Sequence, residues 1–140
     1  AGEWTWISGT DGTNQKGLYG TQGSASANNF PGSRMGVVSW IDASGDLWLF
    51  GGWGYSAISL SQGDVGTLND LWKFSPATRQ WTWMSGSNLA DQNSIYGAPG
   101  VAAPGVVPGA TEFSLSWIDA SGNLWLFGVN RLNEMWKYEP

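Results

Sequence analysis

The sequence contains no cysteine and no histidine, and only 12% of its 140 residues are charged. These absences exclude disulfides, thiolate and imidazole metal ligands, and every histidine-based catalytic triad. The net charge is −5, with six Lys and Arg against 11 Asp and Glu. Because a nucleic-acid-binding surface must neutralise phosphates, we expect no binding to nucleic acid. No apolar run is long enough to span a bilayer, and the Lys-poor, Gly/Ser/Thr/Asn-rich composition favours a secreted, extracellular bacterial protein.

Tryptophan and glycine are abundant where charge is scarce. The chain carries 11 Trp and 21 Gly residues, and no window keeps the 3.6-residue apolar period of an amphipathic helix. Many large aromatic rings among many turn-forming residues are typical of short strands joined by tight turns. The composition therefore predicts an all-β protein.

The sequence repeats itself, and a repeat is the first feature that decides an architecture. Two of the matched blocks recur at an offset of 77 residues and the third at an offset of 64, so a difference of 13 residues lies in one loop, 52–67 in the first copy. The matched blocks are Trp4–Gly9 with Trp81–Gly86, Ser39–Gly51 with Ser116–Gly128, and Leu68–Phe74 with Leu132–Tyr138. Ten of the 11 Trp residues fall on equivalent positions, which indicates framework packing.

Each repeat reads as four strands. In the first repeat we predict strands at Met35–Ile41, Leu47–Phe50, Leu71–Phe74 and Trp81–Trp83. The segment Asp42–Gly45 between the first two is predicted to be a hairpin turn, because Gly accepts a positive φ and Asp bonds the backbone amides that follow it. Four short strands per repeat, with large rings between layers, are typical of a β-propeller.

The segments Phe50-Gly-Gly52 and Asn69-Asp-Leu-Trp-Lys-Phe74, followed by Trp81, resemble a kelch repeat over essentially the whole chain. The longer loops resemble bacterial kelch-like proteins related to the propeller domain of galactose oxidase. The resemblance implies two propeller blades. The copper chemistry of that family uses His, Tyr and a Cys-modified Tyr, so the absence of His and Cys excludes a copper oxidase here. The second copy departs from the pattern, with Val129 at the position of Gly52 and Thr111 at that of Arg34.

The order of the strands predicts how the chain assembles. Residues 1–9 carry a fourth strand, residues 10–86 form the first repeat, and residues 87–140 form a second repeat without its own fourth strand. Because propellers use roughly four to eight blades, two cannot close a ring. We therefore expect the N-terminal strand to complete the C-terminal blade of another copy, with three copies favoured over four. The alternative is a segment of a longer kelch protein. The residues expected to make the contact are Trp4, Trp6, Trp136 and Tyr138.

Three residues are candidates for ligand contact. Trp53 and Tyr55 lie in the long loop that the second copy lacks, and an aromatic ring in a flexible loop can stack on a sugar, pin the loop or fill a contact between chains. Arg34 can bind an anion or bridge blades through carbonyl oxygens. Asp64 and Asp70 offer oxygen ligands for calcium. Because the carboxylates are scattered along the sequence and form no dense Asp motif, we expect no metal site and no cofactor.

The sequence thus predicts a non-catalytic interaction or scaffold module that assembles into a homo-oligomeric, kelch-like propeller, with a glycan or a protein as its further partner. One alternative is a carbohydrate-binding propeller lectin, and another is a structural filament subunit. We expect no enzymatic activity, because nothing marks a pair of carboxylates or any other catalytic arrangement.

Overall fold

The computed structural model of the chain describes residues 2–58 and 65–140. These residues form ten β-strands and one short 3-10 helix, arranged as three antiparallel sheets. The prediction of an all-β protein is confirmed. Among the residues described, no helix has the length and apolar character needed to cross a membrane. The three sheets do not close into a ring within the described chain.

The first repeat builds a four-stranded sheet in the order β2-β3-β6-β7. Its strands are β2 (Val38–Ile41), β3 (Leu47–Phe50), β6 (Leu71–Ser75) and β7 (Gln80–Ser85). Strands that are adjacent in this order pair antiparallel. The prediction for β3 is confirmed at its bounds, and the predictions for β6 and β7 lie inside the observed strands.

The predicted first strand, Met35–Ile41, is wrong in its extent because the backbone breaks at Gly36, whose φ is +66°. Its N-terminal part is a separate strand, β1 (Arg34–Met35), which pairs with β4 (Trp53–Tyr55). β4 in turn pairs with β5 (Val65–Thr67). We call this three-stranded sheet the arm.

The expectation of a flexible loop across residues 52–67 is also corrected, because both ends of that segment are paired strands of the arm. The two glycines after β3 carry the chain from the four-stranded sheet into the arm, and Gly51 and Gly52 both have positive φ. A side chain at either residue would also meet backbone oxygen at 2.6 Å. The double glycine therefore marks a bend that a larger residue cannot occupy.

The second repeat builds a three-stranded sheet in the order β10-β9-β8. Its strands are β8 (Leu115–Ile118), β9 (Leu124–Phe127) and β10 (Met135–Tyr138). A 3-10 helix, Val129–Arg131, stands where the first repeat has its arm. No fourth strand pairs with β10 among the residues described. Residues 2–7 form no strand within the chain.

The hydrophobic core lies between the two repeat sheets. One face of the four-stranded sheet packs on one face of the second-repeat sheet, and the rings of Trp48 and Tyr138 meet at 5.7 Å across this boundary. The buried members of the core are Val38, Trp40, Trp48, Phe50, Leu71, Leu124, Leu126 and Val129. Burial of these large apolar side chains, at roughly 1.5–3 kcal/mol each for the residues of that size, is what holds the two repeats together.

Candidate functional site

One aspartate builds the hairpin turn between β2 and β3, and another builds the turn between β8 and β9. Asp42 Oδ1 accepts from the amides of Ser44 and Asp46 at 2.9 and 3.0 Å, while Oδ2 accepts from the indole of Trp48 at 2.8 Å. Burial raises the pKa of Asp42, but these hydrogen bonds outweigh it and the net pKa lies below the ordinary value. The turn prediction for Asp42–Gly45 is therefore confirmed.

The second repeat reproduces this turn at Asp119. Its carboxylate accepts from the indole of Trp125 at 2.8 Å and from the side-chain and backbone amides of Asn123 at 2.9 and 3.0 Å. The Trp125 hydrogen bond, followed by those from Asn123, lowers the pKa of Asp119 to about 2. Both aspartates thus serve the fold by holding a turn and orienting an indole.

A buried ion pair lies where the arm meets the four-stranded sheet of the first repeat. The guanidinium of Arg34 donates to Asp70 Oδ1 at 2.6 Å and to Oδ2 at 2.8 Å, and both side chains are almost fully buried. Arg34 also donates to the carbonyl oxygens of Gly51 at 3.1 Å and Gly32 at 3.0 Å. Arg34 was expected to bind an anion or to bridge blades through carbonyl oxygens; the anion beside it is an aspartate of its own repeat, and both carbonyl oxygens also belong to that repeat. A bidentate guanidinium of this kind ties β1 to the start of β6.

Asp70 is also bound by two aromatic side chains. The hydroxyl of Tyr19 donates to Asp70 Oδ2 at 2.6 Å, and the indole of Trp72 donates to the same oxygen at 2.7 Å. Burial, followed by the charge of Asp70, raises the pKa of the Tyr19 hydroxyl well above its usual range. These contacts occupy the Asp70 carboxylate, which was one of two candidates for a calcium ligand. The other candidate, Asp64, lies outside the described residues.

Tyr19, Asp70 and Trp72 form the first-repeat triad, and the second repeat also has a tyrosine, an acid and a tryptophan at the equivalent positions. The hydroxyl of Tyr96 donates to Glu134 Oε1, and the indole of Trp136 donates to Oε2 at 2.8 Å. We call Tyr96, Glu134 and Trp136 the Glu134 cluster. It differs from the first-repeat triad in exposure, since Tyr19 is 4% exposed and Tyr96 is 61% exposed.

Trp53 and Tyr55 lie on one face of the arm. They are two residues apart on β4, so their side chains point the same way; Trp53 is exposed and Tyr55 is half-buried. Gly54 and its cross-strand partner Gly66 leave the other face of the arm without side chains at these positions. A side chain at Gly54 would meet the carbonyl oxygen of Ser33 at 2.3 Å. The arm therefore packs closely through its glycines and presents its aromatic side chains outward. Arg34 is not part of this exposed face.

Of the four residues expected to make the contact between copies, two lie on β10, the edge strand of the second-repeat sheet, and two lie in the N-terminal segment. Trp4 is fully exposed and Trp6 is 68% exposed, and Trp136 and Tyr138 lie half-buried on β10. Sequence reasoning missed the ion pair of Arg34 with Asp70 and the indole hydrogen bonds of the turn aspartates. The recurrence of an acid two residues before Trp72 and Trp136 is the signal that could have revealed the aromatic–acid triads.

Among the residues described, no group of three or more Asp and Glu side chains is placed to hold a metal ion. Comparison of the chain with protein-family models, with curated proteins and with solved structures gave no match in any of the three.

Proposed function

We propose that this chain is a non-catalytic scaffold module that assembles head to tail with copies of itself into a kelch-like β-propeller. The observation that carries the proposal is the unequal burial of equivalent residues in the two repeats. Five of the eight side chains buried between the two sheets have repeat equivalents that are exposed on the outer faces. The two outer faces therefore have the same chemistry as the two faces that already pack together.

One outer face belongs to the second-repeat sheet. Val38 of the core is 4% exposed and its equivalent Leu115 is 68% exposed. Trp40, Phe50 and Leu71 are likewise buried, whereas their equivalents are exposed: Trp117, Phe127 and Met135. Exposed apolar and aromatic side chains grouped on one face of a sheet are typical of an interaction surface.

The other outer face belongs to the four-stranded sheet. Leu124, buried between the sheets, is 2% exposed, and its equivalent Leu47 is 39% exposed. Ile41, beside Leu47 in the β2–β3 pair, is exposed as well. Packing the second-repeat face of one copy on this face of the next repeats the contact made inside the chain. Such a contact is heterologous, so copies added in this way close into a ring at the right rotation.

The open edge of β10 fits the exposed N-terminal segment. In the first repeat, Trp72 and Phe74 of β6 pair with Trp83 and Trp81 of β7. Repeat equivalence places Trp6 of a neighbouring copy opposite Trp136, and Trp4 opposite Tyr138. A donated strand would satisfy the backbone groups of the β10 edge and cover the rings of Trp136 and Tyr138. Three copies give six blades, which we favour over the eight that four copies give.

Engineered disulfides test this register, because the chain has no cysteine of its own. Lys73 pairs with Thr82 inside the first repeat, and the equivalent positions are Lys137 and Thr5. We expect Lys137→Cys with Thr5→Cys to give covalent multimers on oxidation, since directly opposed residues lie within disulfide reach. Lys73→Cys with Thr82→Cys is the matched control and should close within one chain.

An out-of-register pair, Lys137→Cys with Ser8→Cys, should give far less cross-linked product. If the control pair oxidises fully while the Lys137–Thr5 pair remains monomeric, donation of the N-terminal strand is refuted. The chain would then be better explained as part of a longer kelch protein whose other repeats cover these faces.

The outward aromatic face of the arm favours a second function, binding of a glycan. Trp53 and Tyr55 offer two rings on one side of β4, and the apolar face of a sugar ring stacks on such surfaces. We expect Trp53→Ala to abolish retention on a glycan array while the mass of the assembly stays the same. Leu89→Ala, at an exposed loop residue, is the control. Equal retention of the Trp53 and Leu89 variants would argue against this site.

A further inference from the structure

The Glu134 cluster differs from its first-repeat equivalent by the loss of one positive charge. In the first repeat, the guanidinium of Arg34 is held by the Asp70 carboxylate and by the carbonyl oxygens of Gly32 and Gly51. At the position of Arg34 the second repeat has Thr111, whose hydroxyl is hydrogen bonded to that of Ser114 at 2.8 Å. The acid is thus retained in the second repeat while its internal cation is not.

The acceptors that surround the guanidinium are also retained. Gly109 and Gly128 stand at the positions of Gly32 and Gly51, and the Gly128 carbonyl oxygen accepts from the Ser114 hydroxyl at 3.5 Å. Within residues 2–58 and 65–140, the ion pairs are Arg34 with Asp70, Lys73 with Asp46, and Lys137 with Glu139, so Glu134 takes part in none of them. A carboxylate that already accepts from Tyr96 and Trp136 retains further lone pairs for a charged donor.

We propose that the Glu134 cluster binds the guanidinium group of an arginine that comes from outside the second repeat. The first repeat is the internal precedent, because there the acid that accepts from the equivalent tyrosine and tryptophan also binds a guanidinium. The exposed ring of Tyr96 leaves the cluster open to solvent, whereas Tyr19 closes the first-repeat triad. A planar guanidinium forms paired hydrogen bonds to a carboxylate and stacks on aromatic rings, which an ammonium does less well.

The charge of the whole chain favours the same class of ligand. A net charge of −5 and a sequence pI near 4.3 draw cationic partners toward the surface. The chain's other arginines, Arg79 and Arg131, form no ion pair among the described residues. The residues of the proposed site lie within one chain, and its open access is that of a chain whose β10 edge carries no donated strand. In the proposed assembly Trp6 of a neighbour would stand beside Tyr96, as Trp83 stands beside Tyr19 at 5.2 Å.

Titration with arginine amide and with citrulline amide tests the site, because citrulline has the same shape as arginine without its charge. The readout is the NMR resonance of the Trp136 indole N–H, identified by its loss in Trp136→Phe. We expect a saturable shift with arginine amide, with a dissociation constant on the order of 1 mM, and no saturable shift with citrulline amide. Equal responses to the two compounds would overturn the proposal.

Two variants of the site and one control variant distinguish specific binding from nonspecific charge attraction. Glu134→Gln should weaken the binding of arginine amide at least about tenfold, the effect of losing roughly 1.4 kcal/mol, and Thr111→Arg should block the site by supplying an internal guanidinium. Glu139→Gln removes an exposed acid of the same region and should leave the binding unchanged. If Glu134→Gln binds as the unaltered chain does, or if Glu139→Gln weakens binding equally, the site is refuted.

A capped Gly-Arg-Gly peptide distinguishes the two sources of a guanidinium. Binding of the peptide at least as tight as that of free arginine supports the site and assigns it to an arginine of a polypeptide partner. Binding of free arginine alone supports the site and assigns it to the amino acid. Absence of binding by both would contradict the proposal.

Discussion

The indole nitrogen of Trp40 donates a hydrogen bond to the carbonyl oxygen of Trp117 at 3.1 Å. These two residues are each other's equivalents in the repeat, 77 positions apart. A contact between equivalent residues on successive sheets is one that a further sheet can repeat. In the proposed assembly, the indole of Trp117 would donate in turn to the carbonyl of Trp40 in the next copy.

The ion pair of Arg34 with Asp70 yields a prediction about stability. Arg34→Met leaves the carboxylate buried without its cation, so we expect a loss of about 3–5 kcal/mol in the free energy of unfolding. Urea denaturation at neutral pH measures this loss. Adding Asp70→Asn removes the unpaired charge, and the double variant should recover part of the loss. A double variant less stable than Arg34→Met alone would show that the charge is not the cause.

The turn aspartates yield a prediction about pH. The folded pKa of Asp119 is lowered to about 2, whereas an unfolded aspartate titrates near pH 3.9. A depressed folded pKa contributes stability above pH of about 4 that is lost as the pH falls toward about 2. Asp119→Asn should therefore flatten the dependence of the urea midpoint on pH in this window.

Asp11→Asn is the control for the acid experiment, since Asp11 is an exposed acid of the N-terminal segment. Its pH dependence between about 4 and 2 should follow that of the unaltered chain. A steep dependence that persists in Asp119→Asn would show that the Trp125 and Asn123 hydrogen bonds do not lower this pKa.

Two equivalent glycines separate folding from assembly. A side chain at Gly86 would meet the carbonyl oxygen of Asn69 at 2.0 Å, and nothing lies within 4 Å of the same atom built at Gly9. Gly86→Ala should therefore destabilise the chain by more than the roughly 1–2 kcal/mol that a positive φ costs an L-residue. Gly9 also has a positive φ but lies outside every strand of the chain, so Gly9→Ala should leave the folded sheets nearly intact. It should weaken assembly, because in the donated strand Gly9 would face Asn133 of the neighbour.

Gly105→Ala is the matched control, since Gly105 also has a positive φ and has no atom within 4 Å of a built side chain. Thermal unfolding and sedimentation of the three variants separate the two effects. Assembly that is weakened equally by Gly9→Ala and Gly105→Ala would remove the special role of Gly9.

The local sequence was sufficient to predict those strands whose apolar pattern and flanking turns depend only on neighbouring residues. β3 is a run of four large apolar residues after a turn that its own aspartate closes, so periodicity and turn chemistry agree on its bounds. The break in the predicted first strand was not predictable in this way. Gly36 bends the backbone where the ring of Phe113, from the other repeat, packs against it, and no local period encodes that contact.

The candidate sites divide in the same manner. The outward position of Trp53 on the arm follows from the loop that only the first repeat has. The ion pair of Arg34 joins residues 36 positions apart, so it depends on the arm and the sheet meeting in three dimensions. The alignment of the two repeats nevertheless places Thr111 at the position of Arg34, so the loss of the cation beside Glu134 is visible in the sequence.

Native mass spectrometry and sedimentation at micromolar concentration measure whether the chain assembles in solution. We expect an assembly of several copies, with three times the chain mass of 15.0 kDa favoured over four. The variant Trp4→Ala with Trp6→Ala should move this species toward the single chain, because it removes both rings of the donated strand. A single chain of 15.0 kDa that unfolds cooperatively would contradict the account.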